Sequence, residues 1–101
     1  MKKYSFSEIK NTLEELVNTG SEPELSLFMY GKEYMIIGFA DRCSFQRCGA
    51  EDGSGEIFYN NIDELYNSVT VDNILLKRDW GDITNFECFD FYWYYDEDFE
   101  D

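Results

Sequence analysis

Apolar residues recur along this chain at two periods, and the change from one to the other divides it. Phe6, Ile9, Leu13, Leu16 and Val17 share one side of a 3.6-residue repeat. Lys10, Asn11, Glu14, Glu15 and Asn18 take the opposite side, so the spacing predicts an amphipathic helix. Ser5-Phe6-Ser7-Glu8 has the S-x-x-E form of a capping box at its start. Gly20 suits the position just past its end, and Pro23 prevents a restart. From Glu24 the period falls to two. Leu25, Leu27 and Met29 alternate with Ser26, Phe28 and Tyr30, and Glu33 to Phe39 alternates again. The pattern predicts a β-hairpin, with Gly31-Lys32 as a two-residue turn that has Gly first.

Beyond the hairpin the signals shorten. Asp41 to Gly49 reads as a third strand, with Cys43, Phe45 and Arg47 on one face and Ser44, Gln46 and Cys48 on the other. Residues 50–55 read as a turn and Glu56 to Tyr59 as a short strand. Asn61 with Glu64 opens a short helix carrying Ile62, Leu65 and Tyr66. Val69 to Trp80 begins extended, turns at Asp72-Asn73, and holds a helical turn that places Ile74, Leu75 and Trp80 inward. Gly81-Asp82 leads into a last strand, FECFDFYWYYDEDFED, whose aromatics suit a pleated, half-buried surface. Alternation puts Glu87, Phe89, Phe91, Trp93 and Tyr95 on one face, with Phe86, Cys88, Asp90, Tyr92 and Tyr94 on the other. The expected architecture is α+β. Residues 1–95 form a single domain, a mainly antiparallel sheet of four to five strands. An N-terminal helix and one or two short helices pack on one face, and residues 96–101 follow as a flexible acidic tail.

Charge changes this picture more than composition does. The chain has 101 residues, is 44% apolar and carries a net charge of −14. Its first fifty residues are nearly balanced, with six bases and seven acids, whereas residues 51–101 hold two bases and fifteen acids. Such a field repels nucleic acid and anionic membrane, which bind through Lys and Arg, and attracts basic protein surfaces. No apolar run approaches membrane-spanning length and the N-terminus is not a secretory signal, so a cytoplasmic protein with reduced thiols is expected.

Candidate chemistry is sparse. Cys43, Cys48 and Cys88 lack metal-ligand spacing, and the chain has no His, so free cysteines are expected and no metal or cofactor. The missing His removes the commonest general base, and no Ser, Cys or Lys lies in a nucleophile motif. Gly53-Ser54-Gly55 is followed by no Lys and preceded by Glu51 and Asp52, which would repel a phosphate. The sequence therefore argues against an enzyme.

What remains is an acidic interaction surface. Its candidate residues are Glu87, Asp90, Tyr92, Tyr94, Asp96, Glu97, Asp98, Phe99, Glu100 and Asp101, joined by Glu51, Asp52, Glu56, Asp63 and Glu64. On a strand, residues i and i+2 lie roughly 6.8 Å apart, the scale on which phosphates repeat, so carboxylates beside stacking aromatics are one route to DNA mimicry. With its acidic aromatic end FYWYYDEDFED and segments such as EIFYNNIDELYNS, the chain resembles the small acidic phage and plasmid proteins of Firmicutes that act as anti-CRISPR inhibitors of type II effector nucleases. The likeness is one of type across the whole chain, and no family position carries over. It implies a partner: a basic nucleic-acid-binding protein, a type II CRISPR effector with its guide RNA, blocked in DNA binding or cleavage. Two other readings use the same residues: an immunity protein that neutralises a basic toxin nuclease, and a small regulatory or structural domain whose acids only solubilise it.

Overall fold

Ser5 and Glu8 form the capping box that their spacing requires. Ser5 Oγ accepts from Glu8 N at 3.2 Å, and Glu8 Oε1 accepts from Ser5 N at 2.9 Å. They open α1, Phe6–Asn18, the first element of a computed structural model that describes residues 4–49 and 55–87. The helix ends in a Schellman pair: Gly20 N donates to Val17 O and Ser21 N to Leu16 O, each at 3.0 Å.

Five strands follow: β1 Glu24–Met29, β2 Lys32–Gly38, β3 Cys43–Arg47, β4 Ile57–Tyr59 and β5 Asn85–Glu87. They form one antiparallel sheet in the order β4-β3-β2-β1-β5, so β4 and β5 are its two edges among the described residues. Between β4 and β5 lie two short helices, α2 Ile62–Tyr66 and α3 Leu76–Asp79, with single 3₁₀ turns at Val71–Asn73 and Trp80–Asp82. The α+β expectation therefore holds.

The hairpin turn lies one residue earlier than the sequence suggests. Met29 faces Lys32, so the two turn residues are Tyr30 and Gly31 in place of Gly31 and Lys32. Both have positive φ, 54° and 74°, as a type I′ turn requires, and this turn matches strand twist better than an unprimed one. A tyrosine in the left-handed region is strained. Its phenol offsets that cost by sharing its one proton between Asp79 Oδ1 (2.9 Å) and Asp82 Oδ2 (2.7 Å), which ties the turn to the end of α3 and the 3₁₀ turn after it.

The core lies on one side of the sheet. Leu25, Leu27, Met29, Tyr34, Ile36, Cys43, Phe45, Tyr59 and Phe86 face it from the strands, and Ile9, Leu13, Ile62, Leu65 and Leu76 close it from the helices. Gly38 belongs to this inner face because α1 crosses directly above it. A Cβ there would meet Val17 Cγ2 at 3.0 Å and Pro23 Cγ at 3.3 Å. Phe6 stacks on Tyr66 (ring centroids 3.7 Å apart), and Trp80 stands edge-on to both. Trp80 Nε1 donates to Tyr4 O at 2.9 Å, tying the start of the described chain to the turn after α3.

Leu76, not Leu75, is the fully buried leucine of the third helical segment. Asp72 and Asn73 both adopt positive φ (54° and 62°), which resets the helical phase after the turn. Ile74 is buried and Trp80 half-buried against the core, as their spacing predicts. The described part of the last strand runs only from Asn85 to Glu87, where Phe86 is buried and Glu87 exposed, so the predicted alternation holds at these two positions. The rest of that strand and the tail lie outside the described residues.

Candidate protein-binding face

The second face of the sheet carries a separate set of side chains. Pairing register arranges them in rows across the strands. Phe58, Ser44, Ile37 and Glu24 make one row; Gln46, Met35, Ser26 and Glu87 make the next; Glu33, Phe28 and Asn85 make a third. One register step past Ile57 sets Glu56 beside Gln46, at the β4 end of the middle row. None of Phe28, Met35, Ile37 or Phe58 belongs to the core or packs against it. Among the described residues no helix covers this face.

Its centre is apolar and its margin acidic. Met35 and Ile37 form a half-buried ridge along β2, with Phe28 beside it and Phe58 at the β4 edge, 44% exposed. Glu24, Glu33, Glu56 and Glu87 stand around them, and Glu33 Oε2 accepts from Ser26 Oγ at 2.7 Å. The single described cation here is Arg42, whose guanidinium carbon lies 4.2 Å from the Phe58 ring centroid and 5.5 Å from that of Phe39. Arg42 thus extends the aromatic surface instead of neutralising the rim.

Ser44 sits at the foot of Phe58 and Ile37 with no exposed surface, and its Oγ has no partner among the described residues. An unmade buried hydrogen bond costs about 1–3 kcal/mol. Ser44→Ala is therefore expected to stabilise the domain by about 1 kcal/mol, read as a higher urea midpoint with an unchanged m-value.

The structure sorts the acids nominated from the sequence into three groups. Glu56 and Glu87 are exposed on this face, at opposite edges of the sheet. Four strand spacings of about 4.8 Å put them about 19 Å apart. Asp63 and Glu64 lie elsewhere and serve the fold. Asp63 pairs with Lys10 at 2.7 Å, joining α2 to α1. Glu64 accepts from Asn60 N and Asn60 Nδ2, both at 3.2 Å, while its own N–H donates to Asn61 Oδ1 at 2.8 Å. Glu51, Asp52, Asp90, Tyr92, Tyr94, Asp96, Glu97, Asp98, Phe99, Glu100 and Asp101 lie outside the described residues. No two described carboxylates on the face are i and i+2 neighbours on one strand, so these acids form a rim and not a phosphate-like ladder.

Sequence reasoning missed Phe28, Met35, Ile37 and Phe58 as surface candidates. A signal was present. Met35-Ile36-Ile37 is apolar at three successive positions, and a strand can make such a run only by being apolar on both faces.

A cleft of about 310 Å³ opens between α1, the β2–β3 connection and the start of α2, near Val17, Phe39, Arg42, Asn60 and Asn61. Its volume is at the lower end for small-molecule sites. Cys43 lines it, but burial, reinforced by Glu64, pushes that thiol up to about 11, so it is protonated and unreactive at neutral pH. Cys43 and Cys48 are both free; Cys43 faces the core from β3, and Cys48, just past the end of that strand, is half-buried. Among the described residues no three His, Cys, Asp or Glu side chains gather as a metal site, and no helix is long and apolar enough to cross a membrane.

No protein-family profile, curated protein or solved structure matches the chain.

Proposed function

We propose that this protein is a non-enzymatic, cytoplasmic inhibitor that binds a basic, nucleic-acid-handling protein, with type II guide-RNA nucleases as the first targets to test. One observation carries the reading: an apolar sheet face, rimmed by Glu24, Glu33, Glu56 and Glu87, in a chain of net charge −14. An apolar centre with a polar margin is the anatomy of a protein interface, and the rim's sign selects a cationic partner. The likeness to anti-CRISPR inhibitors supplies the target class.

The test is target-DNA cleavage by a small panel of type II effectors, with and without the protein, at 50 and 300 mM salt. Inhibition that weakens at the higher salt supports the reading, because exposed charge pairs are screened over about 10 Å at 0.1 M. Inhibition indifferent to salt keeps the inhibitor class and removes electrostatic recognition. If every effector stays fully active, the target class is wrong, and a basic toxin nuclease becomes the partner to assay.

A further inference from the structure

We propose that the open face of the sheet receives a cationic amphipathic helix of the partner protein. The inference rests on the protein-binding reading above and names what is bound and where. Charge excludes a second copy of this chain: a two-fold contact through this face would set Glu56 and Glu87 against the same carboxylates. It excludes an anionic polymer for the same reason.

Shape selects a helix. Across the strands Met35 lies between Gln46 and Ser26, and Ile37 between Ser44 and Glu24, so the ridge has an acid or amide beside each apolar residue. Apolar side chains at i, i+3 and i+4 of a helix laid across the strands would rest on Phe28, Met35, Ile37 and Phe58. The face is about 19 Å wide, and a helix of about thirteen residues spans it at 1.5 Å per residue. Lys or Arg flanking the apolar stripe would then lie over Glu24, Glu33, Glu56 and Glu87. An added strand would instead need the backbone of an edge, and the exposed chemistry here is on the face.

Two synthetic fourteen-residue helical peptides test this on the full chain by amide NMR shifts: one with a Leu stripe flanked by Lys, one with the same stripe flanked by Glu. The Leu/Lys peptide is expected to shift Phe28, Met35, Ile37, Ser44 and Phe58, and the Leu/Glu peptide to leave them in place. Ile37→Asp should weaken Leu/Lys binding about tenfold, with folding checked by thermal melting. Glu56→Gln with Glu87→Gln, which does not threaten the core, should weaken it about threefold and flatten its salt dependence. Absence of shifts, shifts on α1 and α2 instead, or equal response to both peptides would overturn the proposal. The two readings fail separately. An effector inhibited equally by wild type and Ile37→Asp sinks this docking site but leaves the inhibitor function standing. Leu/Lys binding at the face with no effector inhibited does the reverse.

Discussion

Phe45→Ala is expected to destabilise the domain by about 4 kcal/mol. Phe45 lies in the middle of β3, with Ile36 opposite it on β2 and Ile57 on β4, and none of its surface is exposed. Its ring stacks on Tyr34 with centroids 5.6 Å apart and planes 6° from parallel. Truncation would remove both the transfer gain of the ring and the contacts of the atoms around it. β3 is fixed on both sides by neighbouring strands, so it cannot move in to fill the space. A domain of this size commonly has 5–15 kcal/mol in all, so about 4 is a large share of its stability. Urea unfolding followed by tryptophan fluorescence measures it directly. A loss below about 1.5 kcal/mol would mean that β3 is not packed as described. Ile57→Ala is the internal contrast: at 39% exposed it has less to lose, and about 1 kcal/mol is expected.

The elements legible in the sequence were those with a local cause. The Ser5–Glu8 box, the 3.6-residue stripe behind it and the Asn61–Glu64 cap each require only a few neighbouring residues, and each appears where the spacing puts it. Features set by distant partners were harder to read. The turn at Tyr30-Gly31 is fixed by the pairing of Met29 with Lys32 and by two carboxylates some fifty residues away, which nothing near Tyr30 announces. Leu76 replaces Leu75 in the core because two successive left-handed residues upstream shift the phase, and periodicity cannot register such a shift.

The surface was legible as chemistry and not as geometry. Counting carboxylates shows where acidity concentrates along the chain, but not which acids are already engaged. Asp63 and Glu64 look equivalent to Glu56 in a count, yet one is held by Lys10 and the other by Asn60. Conversely, Glu24 and Glu33 come from the charge-balanced half, and the sheet register alone carries them to the same face as Glu56 and Glu87. Sheet formation thus gathers acids from both halves around apolar residues that no helix covers among the described residues.

The second large effect is expected at Asp79, where pH and mutation test the same bonds. Asp79 is buried at the end of α3 and accepts three hydrogen bonds of its own and a fourth that it shares with Asp82. Leu75 N (2.9 Å) and Arg78 Nη2 (2.9 Å) donate to Oδ2; Arg78 Nε (3.0 Å) and the Tyr30 phenol (2.9 Å) donate to Oδ1. The Arg78 bonds, helped by Leu75 N and Tyr30, hold this carboxyl at about 2, although burial alone would raise it from 3.8. A carboxyl held low in the native state stabilises above its unfolded pKa, so the contribution is complete above about pH 4 and disappears as pH falls from 4 through 2. Asp79→Ala should cost about 2 kcal/mol at pH 7, because Leu75 N loses its acceptor and the strained Tyr30 turn loses an anchor. Comparing wild type with Asp79→Ala by urea unfolding at pH 7, 4 and 2 isolates this carboxylate from the other acids, which titrate in both proteins. The gap should be equal at pH 7 and 4 within error and clearly smaller at pH 2. A gap that stays constant down to pH 2 would show that the residue contributes through packing, and that its charge does not hold the β1–β2 turn to α3.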